Sequence, residues 1–142
     1  MACRRLYAAI SDLDRRIART AGISVSDLQC LNLLEAGPVT PRDIAGALEL
    51  TSGAVTGLID RLEAKGLVER RPNPKDRRSV VVAGTPHLFA SIGPQYRRVA
   101  TALRAFEDGL GDQAPLAATH LEAAAAAYAL AASAIENDGA SD

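Results

Sequence analysis

Residues 51–82, TSGAVTGLIDRLEAKGLVERRPNPKDRRSVVV, admit few folds. The first half predicts a capped amphipathic helix: Thr51 is a good N-cap, Val55, Leu58, Ile59 and Leu62 recur at helical spacing, and Gly66 is a natural stop. The second half predicts a hairpin, with strand-like runs at 67–71 and 79–83 around the turn PNPKD. At about 100° per residue, Gly53, Gly57, Asp60 and Ala64 point away from the apolar stripe, with Thr56 and Arg61 on its flanks. Glycine destabilises a helix interior by about 1 kcal/mol, so two on one face need a reason. Close approach to a partner surface is one, and a DNA major groove admits an α-helix. A solvated, loosely selected helix is the other, and the helix alone does not decide.

The hairpin adds charge. Between residues 65 and 78, Lys65, Arg70, Arg71, Lys75, Arg77 and Arg78 stand against only Glu69 and Asp76. Arginine at a hairpin tip can enter a narrow, A/T-rich minor groove, and lysine can meet phosphates without reading sequence. Asp76 is assigned to orienting the wing, through a bidentate ion pair with the Arg78 guanidinium. A charged edge strand that resists aggregation is the competing explanation.

Helix, glycine stop, LVER, a proline-bearing wing, then DRR followed by serine and valines together resemble the winged helix-turn-helix of the MarR family of transcriptional regulators. That family's DxR wing signature falls on Asp76 and Arg78. The resemblance implies that Arg78 is the minor-groove residue and that the helix opening at Thr51 lies in the major groove. It further implies a mainly α fold with a small β-wing, a homodimer joined by its first and last helices, and a small anionic aromatic ligand bound between the dimerisation and DNA-binding lobes. One position departs from the family: Leu88 stands where a glycine is common at the start of the fifth helix, which bears on the local hinge.

Elsewhere the chain fits this plan. With 142 residues, one domain is expected: dimerisation helices at 1–21 and 86–136, a winged helix-turn-helix at 24–84, and a disordered tail at 137–142. Cys3, Leu6, Ile10, Leu13 and Ile17 form a narrow seam ending at Gly22. Ser24 with Asp27 resembles a capping box opening the second helix, which Gly37 and Pro38 close. Thr40, Pro41 and Asp43 open the third, and Val39 is expected to add a short strand to the wing. Thr85 and Pro86 repeat the cap-plus-proline signal. Phe89, Ile92, Tyr96, Val99, Leu103, Phe106 and Leu110 then hold an a/d seam, kinked near Gly93 and Pro94, while Leu121, Tyr128 and Ile135 share a face of the last helix. Leu6, Ile10, Leu13, Leu121, Tyr128 and Ile135 are therefore the expected dimer contacts.

Charge is segregated: residues 51–85 carry a net +3 and residues 101–142 a net −6, so the overall −1 hides a local basic footprint. Arg4 and Arg5 are followed by Asp12 and Asp14 before any long apolar run, which argues for a cytoplasmic protein. The alanine-rich stretch 123–135 is too short to span a bilayer, and no membrane association is expected. His87 and His120 lack metal spacing, and no phosphate-loop, dinucleotide, HExxH or nucleophile-elbow pattern is present, so neither an enzyme nor a cofactor is expected.

The residues expected to meet double-stranded DNA are Ser52, Gly53, Thr56 and Arg61 in the groove, with Arg71, Lys75, Arg77 and Arg78 on backbone and minor groove. A dimeric, sequence-specific regulator, as a repressor of a pseudo-palindromic operator, is the leading reading. A winged helix serving only as a protein-interaction module is the alternative. A cysteine-based redox regulator is another, since CRRLY at Cys3 resembles the first helix of the peroxide-sensing MarR branch. That branch's supporting tyrosines are missing here, with Leu28 at one such place, and a cysteine buried in the seam is favoured over a sensor.

Overall fold

The computed structural model describes residues 2–139, apart from the side chains of Arg77 and residues 136–139. Six α-helices and one hairpin follow in order: α1 (Ala2–Ala21), α2 (Val25–Leu33) extended by a 3-10 turn (Leu34–Ala36), α3 (Pro41–Leu48), α4 (Ser52–Ala64), β1 (Val68–Asn73), β2 (Asp76–Gly84), α5 (Pro86–Leu110) and, after a 3-10 turn (Gly111–Gln113), α6 (Ala114–Gly139). The chain divides into two compact units, one spanning Arg4–Arg97 and one holding the described residues from Arg98 onward with Ala2 and Cys3. Most of α1 thus groups with the winged helix, not with the last helices.

In the first unit the local signals act as their chemistry requires. α1 ends where Gly22 takes φ 65°, with Ile23 N–H donating to the Ala18 carbonyl at 2.9 Å. α4 ends in the same way at Gly66, φ 66°, with Leu67 N–H donating to Leu62 at 3.0 Å. In both, a residue without Cβ takes the left-handed conformation that turns the chain back on orphan carbonyls. Ser24 with Asp27, and Thr40 with Asp43, form reciprocal capping boxes that satisfy the first amides of α2 and α3.

These turns fold the apolar stripes onto one core: Ile17 from α1, Leu28 and Leu31 from α2, Ile44 from α3, Val55, Leu58, Ile59 and Leu62 from α4, Val82 from β2, and Leu88 and Ile92 from α5. The α1 seam therefore splits. Ile17 is buried and Leu13 packs against the core, while Leu6 and Ile10 stay about half exposed, at 47% and 50%. Cys3, expected to be buried in that seam, is exposed.

β1 and β2 pair antiparallel from Val68 opposite Gly84 to Asn73 opposite Asp76. The strands run further than the sequence signals, leaving only Pro74 and Lys75 as the turn. Val39 contributes a single bridge to Val82, with bonds of 3.0 and 2.7 Å in the two directions, in place of a third strand. In α5, Leu88 and Ile92 are buried whereas Phe89 is 64% exposed, so the inward face begins one residue earlier than the a/d pattern predicts. The helix continues through Pro94, which offers no N–H to the Ala90 carbonyl.

In the second unit, Leu103, Phe106, Leu121, Tyr128 and Ile135 are all exposed. The helix α6 reaches Gly139, so 137–139, expected in the tail, are helical, and the rest of that tail lies outside the described residues. Among the described residues no helix is long and apolar enough to cross a membrane.

Candidate nucleic-acid interface

The site is built on α4, and α3 sets its direction. At the end of α3, Glu49 takes the left-handed conformation, φ 51°, and Leu50 N–H returns to the Ala45 carbonyl at 3.0 Å. The sharp turn brings Thr51 into position as N-cap, its Oγ1 accepting from Ala54 N–H at 3.3 Å. Val55, Leu58, Ile59 and Leu62 then anchor the helix in the core, each at most 1% exposed.

Ion pairs brace α4 on both flanks. On one side, Arg61 Nη2 donates to Asp27 Oδ1 at 2.9 Å, and Asp27 is a charged residue only 4% exposed. On the other, Arg70 of β1 donates to Asp60 Oδ1 at 2.7 Å and to the Glu63 carboxylate, which also accepts the Arg70 backbone N–H at 3.0 Å. Helix and hairpin are thus tied together by charge as well as by packing.

Between the braces lies the lean stripe. A Cβ on Gly53 would meet nothing within 4 Å, and one on Gly57 would meet only Arg61 Nη1 at 3.8 Å. No internal contact calls for glycine at either position. Ser52 and Thr56 are exposed on this helix, and Thr56 Oγ1 donates to the Ser52 carbonyl at 2.9 Å, leaving its methyl and lone pairs outward.

At the far end of the hairpin the ladder breaks. Pro72 pairs with Val80 but Asn73 with Asp76, so residues 77–79 bulge from the tip with no partners opposite. Such bulges re-aim side chains. Asn73 stitches the tip, accepting from Lys75 N–H and donating to Ser79 Oγ, both at 2.9 Å. Asp76 makes a different bond from the one expected: its Oδ1 accepts the Arg78 backbone N–H at 3.0 Å, a local Asx-type contact, and no ion pair joins it to the Arg78 guanidinium.

The expected cationic wing therefore sorts into two groups. Arg70 is held by Asp60 and Glu63, and Arg71 by Glu69 through Nε at 2.9 Å. Lys75 and Arg78 are exposed, and no ion pair joins either of them to a described residue; the Arg77 side chain lies outside the described residues. Neither brace of α4 was legible in the sequence. Asp27 reads as a cap and Arg70 as one more wing cation, and only the 34-residue loop closure to Arg61 exposes the first pairing.

The same unit contains a cavity of about 210 Å³ lined by Leu31, Leu34, Leu88, Phe89, Ile92 and Gly93, with Asn32, Glu35 and Tyr96 as its polar groups. Tyr96 Oη donates to Asn32 Oδ1 at 2.5 Å. Burial, reinforced by the charges of Asp14 and Glu35, raises the Tyr96 pKa above its ordinary value. The phenol stays protonated, as a donor.

Comparison with known proteins meets this geometry. The sequence model of the MarR family matches residues 21–79. HTH-type transcriptional regulator YcgE of Bacillus subtilis is 42% identical over 66 residues, 46% of this chain and 43% of that protein. The multiple antibiotic resistance protein MarR of Salmonella typhimurium is 47% identical over 51 residues, 36% of this chain and 35% of that protein. Each match thus spans less than half of the relative's length. A transcriptional regulator from Thermotoga maritima superposes with a TM-score of 0.66 at 25% identity, covering 85% of this chain and 87% of the other. By sequence across its winged helix, and by fold along most of its length, this chain is similar to the MarR family of transcriptional regulators.

Proposed function

We propose that the protein is a homodimeric, sequence-specific DNA-binding repressor acting in the cytoplasm on a pseudo-palindromic operator. The observation that carries this reading is the pairing, on one unit, of a helix face kept lean for no internal reason with a hairpin tip whose Lys75 and Arg78 are left to solvent. Helix α4 enters the major groove with Ser52, Gly53, Thr56 and Arg61 against base edges. The wing, through Lys75, Arg77 and Arg78, meets the neighbouring minor groove and phosphates. Arg71, paired with Glu69, gives a weaker backbone contact than the other three.

Dimerisation draws on apolar side chains that a single chain leaves bare, among them Leu6, Ile10, Leu121, Tyr128 and Ile135, each 47% exposed or more. Leu13, half-buried against the core, supports that seam from within. Twofold symmetry then sets the two readers one duplex turn apart, about 34–36 Å. The cavity beside Tyr96 is the place for an effector. Its charged lining group is Glu35, so it suits a neutral or cationic apolar molecule better than the anion that the family resemblance implies.

Selection of retained sequences from a pool of random duplexes, at two salt concentrations, tests the reading. Recovery of a pseudo-palindrome with A/T-rich flanks and affinity that falls steeply with salt is expected. Salt-insensitive or absent binding would shift the assignment to a protein-interaction module.

A further inference from the structure

Arg61 and Asp27 form a unit whose consequence reaches beyond the bracing of α4. The Asp27 carboxylate is buried, yet its two oxygens are fully engaged at fixed positions: Oδ2 accepts Ser24 N–H at 3.1 Å and Oδ1 accepts Arg61 Nη2 at 2.9 Å. Ser24 Oγ accepts the Asp27 N–H at 3.0 Å in return, so a reciprocal capping box ties the carboxylate to the first turn of α2. The Arg61 side chain, by contrast, is 57% exposed. Its Nη1 lies over Gly57, at 3.8 Å from the place a Cβ would take, on the edge of the lean face. A guanidinium with one Nη2 hydrogen fixed by a buried acid keeps a parallel pair of N–H donors for another acceptor, and its plane is set in advance.

We infer that Asp27 is a positioning residue for base recognition: it holds Arg61 flat across Gly57 so that the free N–H edge meets guanine O6 and N7 at one symmetric position in each half-site. This rests on the DNA-binding reading given above. The chemistry is specific to guanine, because only that base presents two acceptors side by side in the major groove. It also gives Gly57 a reason. A methyl at Gly57 would meet Nη1 at an ordinary van der Waals distance, 3.8 Å, but a side chain reaching beyond Cβ would compete with the guanidinium for the space above the helix. An unheld arginine would sample many rotamers and meet phosphate as readily as base, so fixing it converts a general attraction into discrimination.

The test uses the full chain and a randomised duplex pool, with Asp27→Asn, Arg61→Lys and wild type selected in parallel and their thermal unfolding recorded. Wild type should enrich guanine at one symmetric position. Asp27→Asn should lower the preference there by about tenfold, leaving the other positions and the salt slope as they were. Asp27 also caps α2, so the thermal unfolding of that variant shows whether it folds. Arg61→Lys leaves the cap intact and keeps the charge while removing the planar fork, and it should erase the same position. Unchanged preference in Arg61→Lys, or an even loss across all positions in a folded Asp27→Asn, overturns the proposal. Absence of salt-dependent duplex binding by wild type would overturn the DNA-binding reading itself, and this proposal with it.

Discussion

Leu88 occupies the space that a side chain on Gly84 would need: a Cβ there would lie 2.8 Å from Leu88 Cδ2. The contact joins the end of the wing to the first turn of α5, and Thr85 between them donates to the Gly66 carbonyl at 2.5 Å and accepts from Leu88 N–H at 3.3 Å. Leu88 is 4% exposed and lines the cavity beside Tyr96, so relieving the clash would push its Cδ2 out of its packed position toward that space. Gly84→Ala should therefore destabilise the fold by about 1–3 kcal/mol, the usual range for overpacking. In a Leu88→Ala background the same substitution should have a much smaller effect, and a double-mutant cycle read by denaturant unfolding checks it.

Opposite behaviour is expected at the lean face of α4. Gly53, in the first turn of α4, and Gly57, in its interior, carry no internal contact that an added methyl would violate. Gly57→Ala should raise stability by about 0.5–1 kcal/mol through helix propensity, and Gly53→Ala by less, since it lies in the first turn. Both should weaken duplex binding if the backbone approaches the groove. Stability that rises while DNA affinity stays at the wild-type value would show that the glycines do not serve a partner.

Among the wing cations, the ion pairs predict a division of labour. Lys75→Ala and Arg78→Ala should each lower the dependence of log affinity on log salt by about one, since each removes a cation available to phosphate. Arg70→Ala should leave that slope unchanged. It should instead loosen the hairpin from α4, because Asp60 and Glu63 lose their shared partner. Salt titrations of the three variants on one duplex separate these effects.

Much of this arrangement was legible before any fold was known, and the reason is local. Caps and stops such as Thr51, Gly66, Thr40 and Ser24 are decided by chemistry within four residues, and all appear where the sequence places them. What it does not supply is which of several competing partners a group takes. Asp76 was given the Arg78 guanidinium because opposite charges suggest it, but a carboxylate two residues before an amide closes the shorter Asx-type turn first. In α5 the a/d seam runs through Phe89, yet the residue buried within this unit is Leu88, packed beside the bare backbone of Gly84, a pairing invisible to a heptad count. Asp27 belongs to the same class. Its burial is set by α4 folding over it.

The two cysteines should separate sharply under thiol chemistry. Cys30 is wholly buried, and burial first, then the neighbouring Asp27 charge, raises its pKa from the ordinary 9.0 to about 11. Cys3 is exposed. At pH 8 in native conditions a thiol reagent should thus label one cysteine quickly, at Cys3, and reach Cys30 only on unfolding. The raised pKa also fixes a sign for stability: between pH 9 and about 11 the unfolded chain has released a proton that the folded chain retains, so stability should fall as pH rises through that window. Cys30→Ala should flatten that part of the stability curve. If oxidation regulates the protein at all, it must act through Cys3, and peroxide should then release wild type but not Cys3→Ser from a duplex. Equal release of both would exclude Cys3 as a sensor and leave control to the cavity beside Tyr96.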